Sequence, residues 1–118
     1  MSEWTTTDSG LQYRDLQEGE GVEAARGDLL AMHYEGTLED GTVFDSSYKR
    51  GMPFEFQLGV GMVIKGWDEG VQGMQKGTVR ELIIPAELGY GEHGAGDVIP
   101  PGATLKFKVE LVENKSQK

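Results

Sequence analysis

Apolar and polar residues alternate along several short stretches of this chain, and in one stretch the period changes. In Leu29–Glu35, Leu30, Met32 and Tyr34 fall on one side and Leu29, Ala31 and His33 on the other. Period two over this span predicts a strand. Pro53–Leu58 repeats the pattern, with Phe54, Phe56 and Leu58 sharing a face. Thr78–Ile84 places Leu82 and Ile84 together, and Leu105–Leu111 alternates strictly. Leu11–Leu16 alternates in part and reads as an edge strand. Glu39-Asp40-Gly41 reads as a hairpin turn, with glycine where positive φ is needed, and Thr42–Asp45 opens a further strand. The count is five or six antiparallel strands.

Between them Ile64, Trp67, Val71 and Met74 recur at i, i+3, i+7 and i+10, an apolar stripe that predicts one short helix closed by Gly77. Gly66, Gly70 and Gly73 weaken it by ~1 kcal/mol each against alanine, so the stripe must pack on something large, such as a concave sheet. Ser46–Met52 is a polar excursion. Pro85–Pro101 reads as a long loop around Tyr90, and loops of this length in small domains are usually functional. Residues 1–9 read as a flexible arm, 10–113 as one domain, and 114–118 as a polar tail.

Composition narrows the class. The 118 residues suit one domain, and the 18 glycines, about twice the usual share, fit a turn-rich β fold. Only 4 prolines and no short repeat accompany them, which excludes collagen. The net charge of −9 argues against nucleic acid or an anionic membrane as a partner and favours a soluble monomer. With no cysteine, thiolate nucleophiles, zinc–thiolate sites and disulfides drop out. Met1–Thr7 lacks the basic segment and apolar run of a secretory signal, and apolar runs such as Leu29–Met32 and Leu82–Pro85 are far too short to span a bilayer. The expectation is a cytoplasmic protein.

Standard active-site machinery is missing. Gly61–Trp67 has two glycines at phosphate-loop spacing but places Trp67 where lysine belongs, and Gly59-Val60-Gly61 lacks the third glycine of a dinucleotide fingerprint. His33 and His93 are far apart without companions, so no metal or other cofactor is expected. Asn114-Lys115-Ser116 matches a glycosylation acceptor but reads as chance. Most carboxylates lie in turns or on polar faces; Asp45, behind Phe44 in apolar surroundings, is the one out of place. A carbohydrate-acting enzyme using Asp45 and a second carboxylate is the weakest reading. What remains is aromatic and aliphatic: Tyr34, Phe44, Phe54, Val63, Ile64, Trp67, Tyr90, Ile99 and Phe107. Core packing accounts for most such residues. Tyr90 between glycines, and Val98 and Ile99 on a loop, instead point to an apolar ligand cleft.

Three runs then share a pattern. His33-Tyr34-Glu35-Gly36 leads through Leu38–Gly41 to Phe44-Asp45-Ser46-Ser47. Val63–Val71 follows, and Gly89-Tyr90-Gly91 is followed by Ile99–Leu105. In this order, across Gly10–Glu113, the chain resembles the FKBP-type peptidyl-prolyl cis-trans isomerases, as a minimal single-domain, bacterial-like member. The resemblance implies an α+β fold, a twisted antiparallel sheet wrapped around one short α-helix with a pocket between them. It implies catalysis of rotation about X–Pro bonds in proline-containing polypeptides, and binding of macrolides of the tacrolimus and rapamycin type. Trp67 would form the pocket floor, and Tyr34, Phe44, Phe54, Val63, Ile64 and Phe107 its walls. Tyr90 would offer its hydroxyl and Ile64 its backbone N–H to a bound carbonyl, Asp45 would be the polar edge group, and Val98 and Ile99 would lie on a flap over the cleft. Of these, Tyr34, Phe44, Asp45, Trp67, Tyr90 and Phe107 would carry the reaction. Ala95 departs from the histidine of many relatives. A binding module that uses the same pocket, with isomerisation incidental, is the competing reading.

Overall fold

A computed structural model describes residues 3–96 and 98–116; Asp97, in the flap run, lies outside the described residues. The strands are β1 (Thr5–Thr6), β2 (Gln12–Gln17), β3 (Leu29–Leu38), β4 (Val43–Ser46), β5 (Phe54–Gln57), β6 (Val79–Ile84) and β7 (Leu105–Asn114). The helices are α1 (Ser47–Arg50) and α2 (Lys65–Gly70), with a single 3₁₀ turn at Ala86–Leu88. All seven strands pair antiparallel in one sheet, in the order β1-β2-β6-β7-β3-β4, with β5 also pairing β3. Two partners share the outer edge of β3. Its first half, Leu29–Met32, pairs β5, and Glu35–Thr37 pairs β4. The polar excursion between them folds into α1, so the chain leaves and rejoins the same strand.

The seventh strand is β1, in the segment expected to be a loose arm. Thr5 and Thr6 pair with Tyr13 and Gln12, and the Arg14 guanidinium stacks over the Trp4 ring at 4.5 Å. The β2 edge left open by β6 has backbone groups to satisfy, and the arm satisfies them. The described part of the polar tail, residues 114–116, is also docked. Lys115 N–H donates to Leu29 O (2.8 Å), Leu29 N–H donates to Ser116 Oγ (2.8 Å), and the Asn114 amide donates to Asp28 (2.9 Å).

Period-two readings hold through the core. Leu30, Met32, Leu82, Ile84, Leu105, Val109 and Leu111 are fully buried. The hairpin turn forms with Gly41 at φ 90°, and the Asp40 carboxylate accepts Thr42 N–H at 2.9 Å. The helix is shorter than its stripe. Trp67, Val71 and Met74 are all buried, but α2 stops at Gly70. Beyond it Gly73 turns to φ 84°, and the backbone pairs across to the preceding loop, with Gly73 N–H to Ala24 O (2.9 Å) and Ala24 N–H to Met74 O (2.8 Å).

The helix glycines are contact points. A Cβ on Gly66 would lie 2.6 Å from Ile84 Cγ2, and one on Gly70 would lie 2.7 Å from Leu82 Cδ2. No real Cβ approaches that closely, so only glycine lets α2 sit this near to β6. Propensity lost in the helix is exchanged for burial of Trp67 against the sheet.

Candidate functional site

A cavity of about 480 Å³ opens where α2 faces β3, β4, β5 and β7. Its lining comprises Tyr34, Phe44, Asp45, Phe54, Gly61, Met62, Val63, Ile64, Trp67, Tyr90 and Phe107. Nine of the eleven residues assigned to the pocket from sequence therefore meet in one place. They come from four strands, one helix terminus and two loops, and the sheet register brings them together. Gly36 pairs with Asp45 on one side and Phe107 on the other, so both point to the same face as Tyr34, two residues earlier. A Cβ on Gly36 would lie 2.6 Å from Phe44 Cζ and 2.7 Å from Phe107 Cε1. The bare backbone of Gly36 is what allows these two rings to form one wall.

Trp67 is buried at the base. Four rings surround it: Tyr34 at 5.1 Å, Phe107 at 5.4 Å, Phe56 at 5.5 Å and Phe54 at 6.1 Å between centroids. Interplanar angles run from 64° to 87°. Edge-to-face packing sets the positive ring edge against a negative π face, and each such pair adds about 0.5–1.5 kcal/mol to the buried area. The indole is thus packed by rings on several sides. Phe56 lies outside the pocket assignment; it is fully buried behind the cavity and stacks on Phe54 at 5.7 Å.

The polar edge is a three-residue cluster. Tyr34 OH donates to Asp45 Oδ2 (2.5 Å), while Arg50 donates to Asp45 Oδ1 (2.7 Å) and to the Tyr34 hydroxyl (2.8 Å). Burial works to raise the Asp45 pKa, but the hydrogen bonds from Tyr34 and Arg50 outweigh it and hold the carboxyl below its ordinary range. Burial, reinforced by the Asp45 carboxylate, raises the Tyr34 pKa. Tyr90, partly exposed, is raised by burial and then by the charge on Asp45. These groups keep single charge states near neutrality: one carboxylate, two phenols, one guanidinium.

Sequence reasoning missed Arg50. It lies in the polar excursion, and only the turn of α1 brings it back over the Tyr34 ring (5.6 Å). Ser47, fully buried, anchors that turn by accepting Tyr34 N–H at 2.7 Å and bonding His33 Nδ1 at 2.9 Å. His33 stacks on Tyr48 at 4.7 Å. Gly61 and Met62 were also missed, because no periodicity marks a loop. The Asp68 carboxylate fixes that loop by accepting Gly59 N–H (2.8 Å) and Gly61 N–H (2.9 Å).

Val98 and Ile99 depart from expectation. Neither lines the cavity. Ala95 and Ile99 exchange backbone hydrogen bonds (2.9 and 3.0 Å) in a tight turn that directs Ile99 into the core, leaving Val98 about half exposed. Gly94 makes the turn possible: at φ 67°, any Cβ there would collide with the Ile99 carbonyl.

Comparison with known proteins agrees with this arrangement. The profile of the family "FKBP-type peptidyl-prolyl cis-trans isomerase" matches residues 20–112. The FK506-binding protein of Neisseria meningitidis serogroup B (strain ATCC BAA-335 / MC58) is 60% identical over 104 residues, covering 88% of this chain and 95% of that one. Peptidyl-prolyl cis-trans isomerase FKBP2 of Mus musculus is 57% identical over 98 residues, covering 81% and 70%. Among solved structures, the crystal structure of AtFKBP13 superposes with a TM-score of 0.89 at 45% identity, covering 95% of this chain and 98% of that one.

Proposed function

The chain belongs to the FKBP-type peptidyl-prolyl cis-trans isomerase family and is a peptidyl-prolyl cis-trans isomerase; from that premise we propose that the cavity over Trp67 is where the X–Pro bond turns. The observation that carries the proposal is the cavity lined mostly by apolar and aromatic side chains, floored by the buried Trp67 indole, with the Tyr34–Asp45–Arg50 cluster at its edge.

Rotation about an X–Pro bond meets a barrier of about 18–20 kcal/mol from amide resonance. No bond to a nucleophile is needed. The twisted amide has lost conjugation and is less dipolar than either planar form, so an apolar cleft favours it relative to water. That is differential binding of the transition state. Acceleration by a factor of ~10⁴–10⁶ requires about 5–8 kcal/mol. The proline ring packs on Trp67 between Phe107, Phe54 and Val63. Tyr90 and the Ile64 backbone N–H orient the flanking carbonyls; Ile64 is extended (φ −60°, ψ 153°) at the head of α2, and its carbonyl accepts Trp67 N–H (3.0 Å) and Asp68 N–H (3.2 Å). Asp45, held by Tyr34 and Arg50, sets the field at the pocket edge without transferring a proton.

The same pocket accommodates proline-mimicking macrolides of the tacrolimus and rapamycin type, and the net charge of −9 supports action as a monomer. A protease-free assay of a proline peptide, with and without such a macrolide, tests the proposal. Activity abolished by the macrolide is expected; activity indifferent to it would remove the reaction from this cavity. Turnover lost in Trp67→Leu while partner binding stays intact would favour the binding-module reading.

A further inference from the structure

With no cysteine in the chain, its oxidisable sulfur is all methionine. The described methionines divide sharply. Met32 and Met74 are fully buried in the core, whereas Met52 and Met62 are 63% and 61% exposed. Met62 alone among the four lines the cavity. Its loop cannot withdraw freely, because the Asp68 carboxylate holds Gly59 N–H and Gly61 N–H, and Gly61 sits at φ 80° just before it. Trp67, the other oxidant-sensitive group of the cavity, is 4% exposed and shielded by its ring of neighbours.

We propose that Met62 is a sulfoxidation site through which hydroperoxides lower isomerase activity, an inference that rests on the pocket assignment above. The Met62 Sδ lone pair attacks the distal oxygen of the hydroperoxide. The O–O bond breaks, an S–O bond forms, and water (or an alcohol from an organic hydroperoxide) leaves after proton transfer. Sulfur loses two electrons and the peroxide gains them. The product replaces a soft apolar side chain at the cavity mouth with a strong dipole. A substrate side chain next to the proline then has to strip water from the sulfoxide oxygen to pack there, without supplying a donor in return. Met52 reacts under the same conditions but lines no part of the cavity, so it serves as an internal control.

The test treats wild type, Met62→Leu and Met52→Leu with hydrogen peroxide, maps sulfoxides by peptide mass spectrometry, and measures isomerase kcat/KM against each protein's own untreated value. Wild type and Met52→Leu should fall about fivefold or more as Met62 sulfoxide accumulates. Met62→Leu should keep its untreated value within about 1.5-fold, which on the same scale is less than thermal energy. Methionine sulfoxide reductases acting on both epimers should restore the wild type. Three results would each overturn the proposal: equal loss in Met62→Leu, full activity in wild type carrying Met62 sulfoxide, or oxidation confined to Met52. An untreated wild type without activity would instead overturn the isomerase assignment of the cavity, and the functional half of this proposal with it.

Discussion

Replacing Trp67 by leucine separates the floor of the pocket from everything else in the domain. The indole is 4% exposed and has four aromatic neighbours within 6.1 Å. Truncating a buried Trp to alanine costs about 3–5 kcal/mol; leucine refills part of that space, leaving a cost of about 2–3 kcal/mol. A domain of this size loses about 4 °C of Tm per kcal/mol, so the midpoint should fall by about 8–12 °C while the protein stays folded at 25 °C. The proline ring would lose the flat face beneath it and gain a void. That removes about 1.5–3 kcal/mol of transition-state stabilisation, a loss of ~10–100-fold in kcat/KM. The assay is catalysis of a proline-limited refolding phase at 10–15 °C below the variant's own midpoint, with circular dichroism as the check on folding. Trp4→Leu, far from the cavity beneath Arg14, serves as the control and should leave the rate unchanged. A folded Trp67→Leu that retains activity within twofold of wild type would refute the assignment of the floor.

Four further outcomes follow from the same geometry. The pH–rate profile should be flat between pH 6 and 8, because Asp45 stays ionised and Tyr34 and Tyr90 stay protonated throughout; a steep profile would mean proton transfer. Since the Asp45 pKa is lowered on folding, its contribution to stability is complete above the ordinary value of 3.8 and is lost as pH falls through the folded value; acid titration of Asp45→Asn against wild type should show the wild-type advantage vanish there. Gly36→Ala should destabilise by about 1–3 kcal/mol and weaken macrolide binding, since its Cβ must displace Phe44 and Phe107; calorimetry of unfolding and binding checks both. Asp68→Ala should speed hydrogen exchange at the Gly59 and Gly61 amides, which lose their acceptor, while exchange at Leu82 in the core stays slow.

Much of the sheet was legible in the chain because a half-buried strand writes its two faces into alternate residues. Leu30, Met32 and Tyr34 are buried as their spacing requires, and so are Leu82 and Ile84 of β6 and Leu105, Phe107, Val109 and Leu111 of β7. The stripe from Ile64 to Met74 likewise announced which residues face inward. It overstated the helix, because beyond Gly70 the backbone of Gly73 and Met74 bonds to Ala24, a partner no local pattern can name. The aromatic set of the pocket was identifiable because aromatic residues in loops, such as Tyr90, have no core reason to be there, and because the motif order matched a known family.

What the sequence by itself determined is the inventory: which residues alternate, which are left over, and which chemistry is missing for want of cysteine or clustered histidine. Only the tertiary structure decided distance. Gly36, Gly66 and Gly70 look like weak links in strand and helix. In the fold they mark contacts where a Cβ would stand under 3 Å from a neighbour. Arg50 reads as one more surface cation until α1 turns it onto Tyr34 and Asp45. Ile99 reads as a lid residue until the Ala95 bridge turns it inward. The reason is the same in each case. Periodicity records the face a residue presents within its own element, whereas close approach and charge pairing depend on elements that meet only after the chain has folded back on itself.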